Sequence, residues 1–271
     1  MKIGFFDSGI GGLSVLHEAY HMLPGVEFVF YADTDHVPYG KKTAEEILGY
    51  ARESTGFLVK CGVDAIVIAC NTATSVAVET LRKEYSLPIV SMEPAVKPAV
   101  EKSKEKRVLV IATPVTVREE RVRNLIDRVD EHHLVDLLAM PELVSFAERE
   151  EFSGELVKEY LSRQFGTVNT EDYGALVMGC THFNYFKDSY RQYFPQDISL
   201  IDGNFGTVRH LAHRLNLEYQ AKDTEEVHFE LPEDVLRNTT YYASGRQVTD
   251  EETLAHFLRL HNRLEEMRKI N

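Results

Sequence analysis

Two cysteines stand at matching junctions of the chain. IVIACNTATSV runs from Ile66 to Val76 and LVMGCTHFNYF from Leu176 to Phe186; in each, an apolar, strand-like run ends at a cysteine followed by small hydroxylated or polar residues. A thiol at the carboxyl end of a strand, just before a helix, meets the positive end of the helix dipole, which favours thiolate. Cys70 is followed by Asn71, Thr72 and Thr74, good caps and donors. Cys180 is followed by Thr181 and His182, whose imidazole can orient the thiol or exchange its proton. Two such thiols facing each other across a cleft can take a proton from one face of a carbon and deliver another to the opposite face. That is stereoinversion at an acidic carbon by two-base catalysis. Backbone donors around a substrate carboxylate, together with exclusion of water, are the available stabilisers. The competing reading is two small buried hydrophobes at equivalent points of a duplicated fold.

A third cysteine, Cys61 in LVKCGVDA, closes a helical pattern before a glycine and reads as packing. The three cysteines form no C-x-x-C and have no metal-ligand spacing, which favours free thiols over a disulfide framework. The bulk numbers set further bounds. The 271 residues, 44% hydrophobic and 27% charged, can bury a sizeable core in one large or two modest α/β units. A net charge of −13 argues against nucleic acid as the primary ligand but leaves room for a small anion held by backbone N–H groups. The opening MKIGFFDSGIGG lacks the long apolar region of a signal peptide and reads as a first strand. No run reaches the ~18 apolar residues of a membrane span, so the expectation is a cytoplasmic protein.

Two further segments carry polar groups at strand ends. DSGIGGLSV, Asp7 to Val15, follows a strand and precedes a helix but is neither G-x-G-x-x-G nor a Walker A loop. It admits three readings: a nucleotide loop, a tight strand-to-helix turn, or an active-site turn in which Asp7, Ser8 and nearby N–H groups face a carboxylate. YADTDHVPYG offers Asp33 and Asp35 as metal ligands, but no further ligand stands at a recognisable interval, and a capped turn explains Pro38-Tyr39-Gly40 as well.

These residues must be positioned by alternating elements. Strands are expected at Ile3–Phe6, Glu27–Tyr31, Ala65–Ala69, Ile89–Ser91, Val108–Ile111, Leu134–Leu138, Ala175–Met178 and Ser199–Ile201. Helices are expected at Leu13–Met22, Thr43–Cys61, Ala73–Tyr85, Val117–Val129, Gly154–Phe165 and Phe205–Leu215, with Thr43 and Thr116 as start signals. The alternation implies βαβ units and largely parallel sheets. KIGFFDSG at the start and RVLVIATP from Arg107 are alike, and each precedes its cysteine motif by a similar length. This approximate duplication predicts two lobes, each a mainly parallel sheet flanked by helices, with ligands at the carboxyl ends of the strands, in the cleft between lobes. After the second lobe come an acidic loop-like run over 220–238, the strand TTYYASG and a helix over Glu251–Met267. This tail is expected to return to the first lobe, giving 1–95 plus 206–271 as one lobe and 96–205 as the other.

FDSGIGGLSV, VPYG, ACNTAT and GCTHF, in this order and at these intervals, resemble the cofactor-independent glutamate racemase family, as do SMEPAVKPAV (Ser91–Val100), ATPVTV and the TYYASG strand. The resemblance spans nearly the whole chain. It implies two pseudo-symmetric α/β lobes, interconversion of L- and D-glutamate for peptidoglycan precursors, no pyridoxal phosphate or other cofactor, no metal, and a homodimer. Carried over by position, Cys70 takes the proton from D-glutamate and Cys180 from L-glutamate, with Asp7 and His182 assisting the respective thiols. Asp33 and Glu148 match further acidic positions. Ser8, Pro38, Tyr39, Gly40, Asn71, Thr72, Thr74 and Thr181 match substrate contacts, many through backbone groups.

The second lobe departs from the family pattern at four places. Asn184 follows Phe183 after the second Cys-Thr-His; Arg118, Glu119, Glu120 and Arg121 follow ATPVTV; LIDGNFG (Leu200–Gly206) replaces an IDSG-like turn; and Met140 stands where cysteine is common. These departures leave two other readings: a racemase of aspartate or another acidic compound on the same scaffold, and a weakly catalytic regulatory binding protein. A Cys–His hydrolase lacks an assignable orienting residue and oxyanion loop.

Overall fold

The computed structural model describes residues 1–92, 94–103, 106–220 and 237–270. Its strands fall into two sheets. In chain order they are β1 (Lys2–Asp7), β2 (Glu27–Ala32), β3 (Ala65–Ile68), β4 (Ile89–Ser91), β5 (Arg107–Ala112), β6 (Val135–Ala139), β7 (Tyr173–Met178), β8 (Ser199–Ile201), β9 (Thr239–Ala243) and β10 (Arg246–Gln247). The first sheet runs β10-β9-β2-β1-β3-β4 and the second β6-β5-β7-β8. Once the β9–β10 hairpin is set aside, the two orders superimpose: β2-β1-β3-β4 against β6-β5-β7-β8. All of these pairings are parallel. The duplication read in the sequence is therefore a duplication of topology. Cys70 follows β3, and Cys180 follows β7, its counterpart.

Buried parallel strands explain the apolar runs. Every residue of β3 is buried, as are those of β1 beyond Lys2, because helices cover both faces. The tail strand β9 pairs in parallel with β2, from Phe28–Thr239 to Ala32–Ala243. The acidic run expected over 220–238 lies, for 221–236, outside the described residues.

The helices begin where local chemistry allows. Thr43 caps Ala44–Lys60 with a reciprocal capping box to Glu46. The expected helix Val117–Val129 is instead two: Pro114–Arg118 and Glu120–Val129, broken at Glu119, whose backbone is extended. The cap is Thr113 rather than Thr116; Pro114 sits at the first helical position, and the Thr113 hydroxyl accepts from the Thr116 N–H. Three short helices carry no strong periodicity and are not legible in the sequence: Val96–Lys102, Leu143–Glu148 and Lys187–Tyr190.

One apolar core continues from one sheet to the other. Leu13, Leu16 and Phe30 of the first half join Phe183, Tyr185 and Phe186 of the second and Phe257 and Leu260 of the final helix, Glu251–Arg268. The helix Asn204–Leu215, which follows β8, packs on Leu13–Met22. This shared core fixes how the strand ends of the two sheets confront each other, and there the candidate residues collect. No helix among the described residues is long and apolar enough to cross a membrane.

Candidate active site between the two sheets

Cys70 is the N-cap of the helix Asn71–Glu84, and its sulfur accepts from the Ala73 N–H at 3.4 Å. The expected helix-terminus effect is present there, but it is outweighed. Burial pushes the thiol well above its ordinary value, and the neighbouring Asp7 carboxylate and Cys180 push it the same way, against the Ala73 N–H and Ser8. Cys70 is thus a thiol at neutral pH. Cys180 differs in its setting: it precedes a 3₁₀ turn, Thr181–Phe186, and makes no side-chain cap. Its partner is instead His182, whose Nδ1 lies 3.9 Å from the sulfur. Cys61 lies apart and is half-buried rather than fully packed away.

Each thiol has a carboxylate behind it, reached through another side chain. On the Cys70 side, the sulfur lies 3.7 Å from the Ser8 hydroxyl, which lies 3.4 Å from Asp7 Oδ1. On the Cys180 side, His182 Nε2 lies 2.6 Å from Glu148 Oε1. Burial, opposed by the His182 charge, raises Asp7 from 3.8 to about 6. Burial pulls His182 down, but Cys180 and Glu148 together outweigh it and hold the ring well above its usual value as imidazolium. That protonation decides between two contacts at Nε2. The Gly11 N–H also points at this nitrogen from 3.3 Å, but a protonated Nε2 has no lone pair to accept with. The donation to Glu148 is the real bond.

The glycine-rich turn is the platform for both halves. The Ile10 N–H donates to Glu148 Oε1 at 2.9 Å and the Gly9 N–H to Asp7 Oδ1 at 3.1 Å, so this turn's N–H groups face the protein's own carboxylates. A Cβ at Gly9 would run into the Glu148 carboxylate, and one at Gly11 into the His182 ring and the Thr181 hydroxyl. Close approach, rather than a phosphate, is what these two glycines serve. Thr181, from the second sheet, donates to Asp7 Oδ2 at 3.0 Å and completes the ring of groups.

The remaining sequence candidates divide. Tyr39 is buried and its hydroxyl donates to Asp33 at 2.6 Å; burial and Asp33 raise its pKa most, with Cys70 and Asp7 adding to them. Tyr39 therefore borders the site, while Asp33 stands behind it, also bonded to His36 and Ser244. Asp35 is exposed and paired with Arg246, which ends its case as a metal ligand. Pro38 and Gly40 are half-buried, and Gly40 abuts the side chain of Thr113. Asn71 places a buried amide oxygen without a hydrogen-bond partner among the described residues. Thr72 meets Thr113 and Thr116 across the sheets at 2.9 and 3.3 Å. The Thr74 hydroxyl turns back to the Ile68 carbonyl at 3.4 Å, so this side chain serves the backbone of β3.

Thr113, Thr116, Ile10 and Tyr185 join the site without being marked for it by the sequence motifs. Tyr185 donates to the Ile10 carbonyl at 3.1 Å and braces the same turn. Thr113 is legible as the topological partner of Ser8, one residue beyond the matching strand. Most departures from the family pattern face elsewhere. Asn184 lines a separate cavity of about 650 Å³ with Lys187, Arg191 and Asn204, which neither thiol lines. Met140 is core. Arg121 pairs with Glu79 at 2.9 Å.

The chain is similar to known proteins in both sequence and fold. A family model described as Asp/Glu/Hydantoin racemase matches residues 14–211. A glutamate racemase of Lachnospira eligens is 47% identical over 272 residues, covering 100% of both chains. Among solved structures, a glutamate racemase from Campylobacter jejuni superposes with a TM-score of 0.75 at 28% identity, covering 97% of this chain and 98% of that one. An Escherichia coli glutamate racemase in complex with L-glutamate and the activator UDP-MurNAc-ala does so with a TM-score of 0.76 at 27% identity, covering 92% and 99%.

Proposed function

The chain belongs to the Asp/Glu/hydantoin racemase family, and we propose that it interconverts L- and D-glutamate by moving protons between two thiols. The observation that carries this reading is that Cys70 and Cys180 follow equivalent strands of a duplicated sheet, close enough that Cys180 adds to the rise of the Cys70 thiol that burial causes.

The two halves are chemically unequal, and that inequality assigns the starting roles. Cys70 rests as a thiol. His182, held as imidazolium, supplies the counter-charge for a Cys180 thiolate. With L-glutamate, the Cys180 sulfur removes the α-proton while the Cys70 S–H delivers its proton to the opposite face. The bond broken is Cα–H on one side and the bond formed is Cα–H on the other; the negative charge moves from Cys180 to Cys70. D-Glutamate is turned over by the reverse transfer. Asp7, with Ser8 beside it, exchanges the proton of Cys70, and His182, backed by Glu148, that of Cys180. N–H groups and hydroxyls of Ser8, Tyr39, Gly40, Asn71, Thr72 and Thr181, with Pro38 in the wall, hold the substrate, while Thr74 braces the strand end behind them; Asp33 orients Tyr39. Both thiols are buried, so substrate is admitted when the two halves part, and closure excludes water from the carbanion.

The lobes are taken as 1–95 plus 206–271 and 96–205, the working state as a homodimer in the cytoplasm, and the product as D-glutamate for peptidoglycan precursors. Circular dichroism of L-glutamate incubated with enzyme and no added cofactor tests the activity. Decay of the signal toward zero is expected, with L-aspartate turned over far more slowly; an unchanged glutamate signal would overturn the reading.

A further inference from the structure

A second cluster of ligand-type side chains lies away from the thiols, where the first helix meets the last. His17 and His21 stand four residues apart on Leu13–Met22, so both rings leave the same face. His261 and Glu265 have the same spacing on Glu251–Arg268. The two faces meet. His17 Nε2 and His21 Nε2 each lie 3.0 Å from Glu265 Oε2, and these three atoms all fall within 4.8 Å of one another. Both histidines are buried, whereas Glu265 is 24% exposed.

We propose that His17, His21 and Glu265 form a binding site for a divalent transition-metal ion of the zinc type, fixing the first helix to the last. Two imidazoles and one carboxylate are the donor set such an ion takes, with water in a fourth position. Metal–ligand bonds of about 2.0–2.1 Å put tetrahedral ligand atoms about 3.3 Å apart. The two histidine–Glu265 spacings of 3.0 Å need to open by only a few tenths of an ångström.

The surrounding groups can follow the change. Without metal, His17 and His21 each donate Nε2–H to Glu265. His17 Nδ1 then accepts from His261 Nδ1–H at 3.2 Å, and His261 Nε2 accepts from the Tyr241 hydroxyl at 3.4 Å. With metal on His17 Nε2, every bond in this chain reverses. His17 Nδ1–H donates to His261 Nδ1, and His261 Nε2–H donates to Tyr241. The proton count of His17, His261 and Tyr241 is unchanged, and each ring nitrogen of His17 and His261 keeps a partner. This is how a ligating histidine is oriented in metal sites. His17, Leu264 and Met267 also line the 650 Å³ cavity, which gives the ion and its water a route. Arg268, a cation of the last helix whose charge reaches His17, has that charge offset by Glu18 at 3.9 Å. The cluster sits one helix turn beyond the glycine platform of the active site, so a bound ion would stiffen that platform from behind.

The test uses full-length enzyme stripped with chelator and titrated with Co2+, then Zn2+. One equivalent of Co2+ is expected to give the visible bands of four- or five-coordinate cobalt without the near-ultraviolet thiolate band that binding at Cys70 and Cys180 would produce. Zn2+ should displace it and raise Tm by about 5 °C at a hundredfold excess over Kd. Glu265→Gln and His21→Gln, which keep hydrogen-bonding capacity, should each weaken binding at least ~100-fold, and His261→Gln about tenfold. Absence of cobalt bands in the unsubstituted enzyme, a thiolate band alone, or binding that survives Glu265→Gln would overturn the site and leave a hydrogen-bonded clamp between helices.

Discussion

The Thr181 hydroxyl donates to Oδ2 of Asp7 across the boundary between the two sheets, at 3.0 Å. This one bond ties the residue after Cys180 to the carboxylate behind Cys70. It works against burial, which disfavours the charged form of Asp7. In the proposed cycle, opening of the halves breaks this bond and so couples ionisation of Asp7 to closure.

Asp7 costs the fold stability. Its carboxyl is raised from 3.8 to about 6 on folding, so between those values the folded protein holds a proton that the unfolded chain has released. Stability from this group is full below pH 3.8, falls as pH rises through about 6, and stays at its floor at pH 7. Asp7→Asn is expected to raise stability at pH 7 by about 1–3 kcal/mol, the lost charged hydrogen bonds trimming the gain. The gain should vanish near pH 3.5, and turnover should fall at least ~100-fold. Denaturant melts at the two pH values check this; equal stability at pH 7 would contradict it.

Against burial, Cys180 and Glu148 together hold the proton on His182. Replacing Glu148 with glutamine keeps an acceptor for the Ile10 N–H but removes the counter-charge 2.6 Å from Nε2. The pKa of His182 then falls, and the alkaline limb of the L-to-D pH–rate profile is expected to move down by about one to two units. An unmoved limb would show that His182 owes its charge to another group.

Gly11 leaves no room for a side chain. Gly11→Ala drives a methyl into the His182 ring and Thr181, and kcat is expected to fall about 100-fold from misplacement alone. Gly49, within Ala44–Lys60, has open space around its Cα, so Gly49→Ala should leave kcat unchanged and add up to about 1 kcal/mol of stability. Equal behaviour of the two variants would remove the glycine turn from the account.

What was legible in the sequence follows from where order is local. Buried parallel strands announce themselves as apolar runs, so β3 and β7 and the cysteines after them were readable, as was the repeated order of elements. The protonation states were not, because they depend on groups distant in sequence: Glu148 reaches His182 and Ile10 only after the core closes. The same holds for Glu119. Its extended backbone splits a segment whose periodicity alone reads as one helix. The histidines at 17 and 21 have visible helical spacing, but Glu265, their partner, is set by the packing of the last helix on the first.

The central claim is that two thiols work on opposite faces of one α-carbon. The most direct measurement is α-deuterium incorporation from D2O at low conversion, starting from L-glutamate and separately from D-glutamate. Two monoprotic bases predict product that carries α-deuterium while recovered substrate keeps its protium, in both directions, with Cys70→Ser and Cys180→Ser each lowering racemisation at least ~1000-fold. Product that retains the substrate's own hydrogen, or a single variant that still racemises freely, would contradict the account.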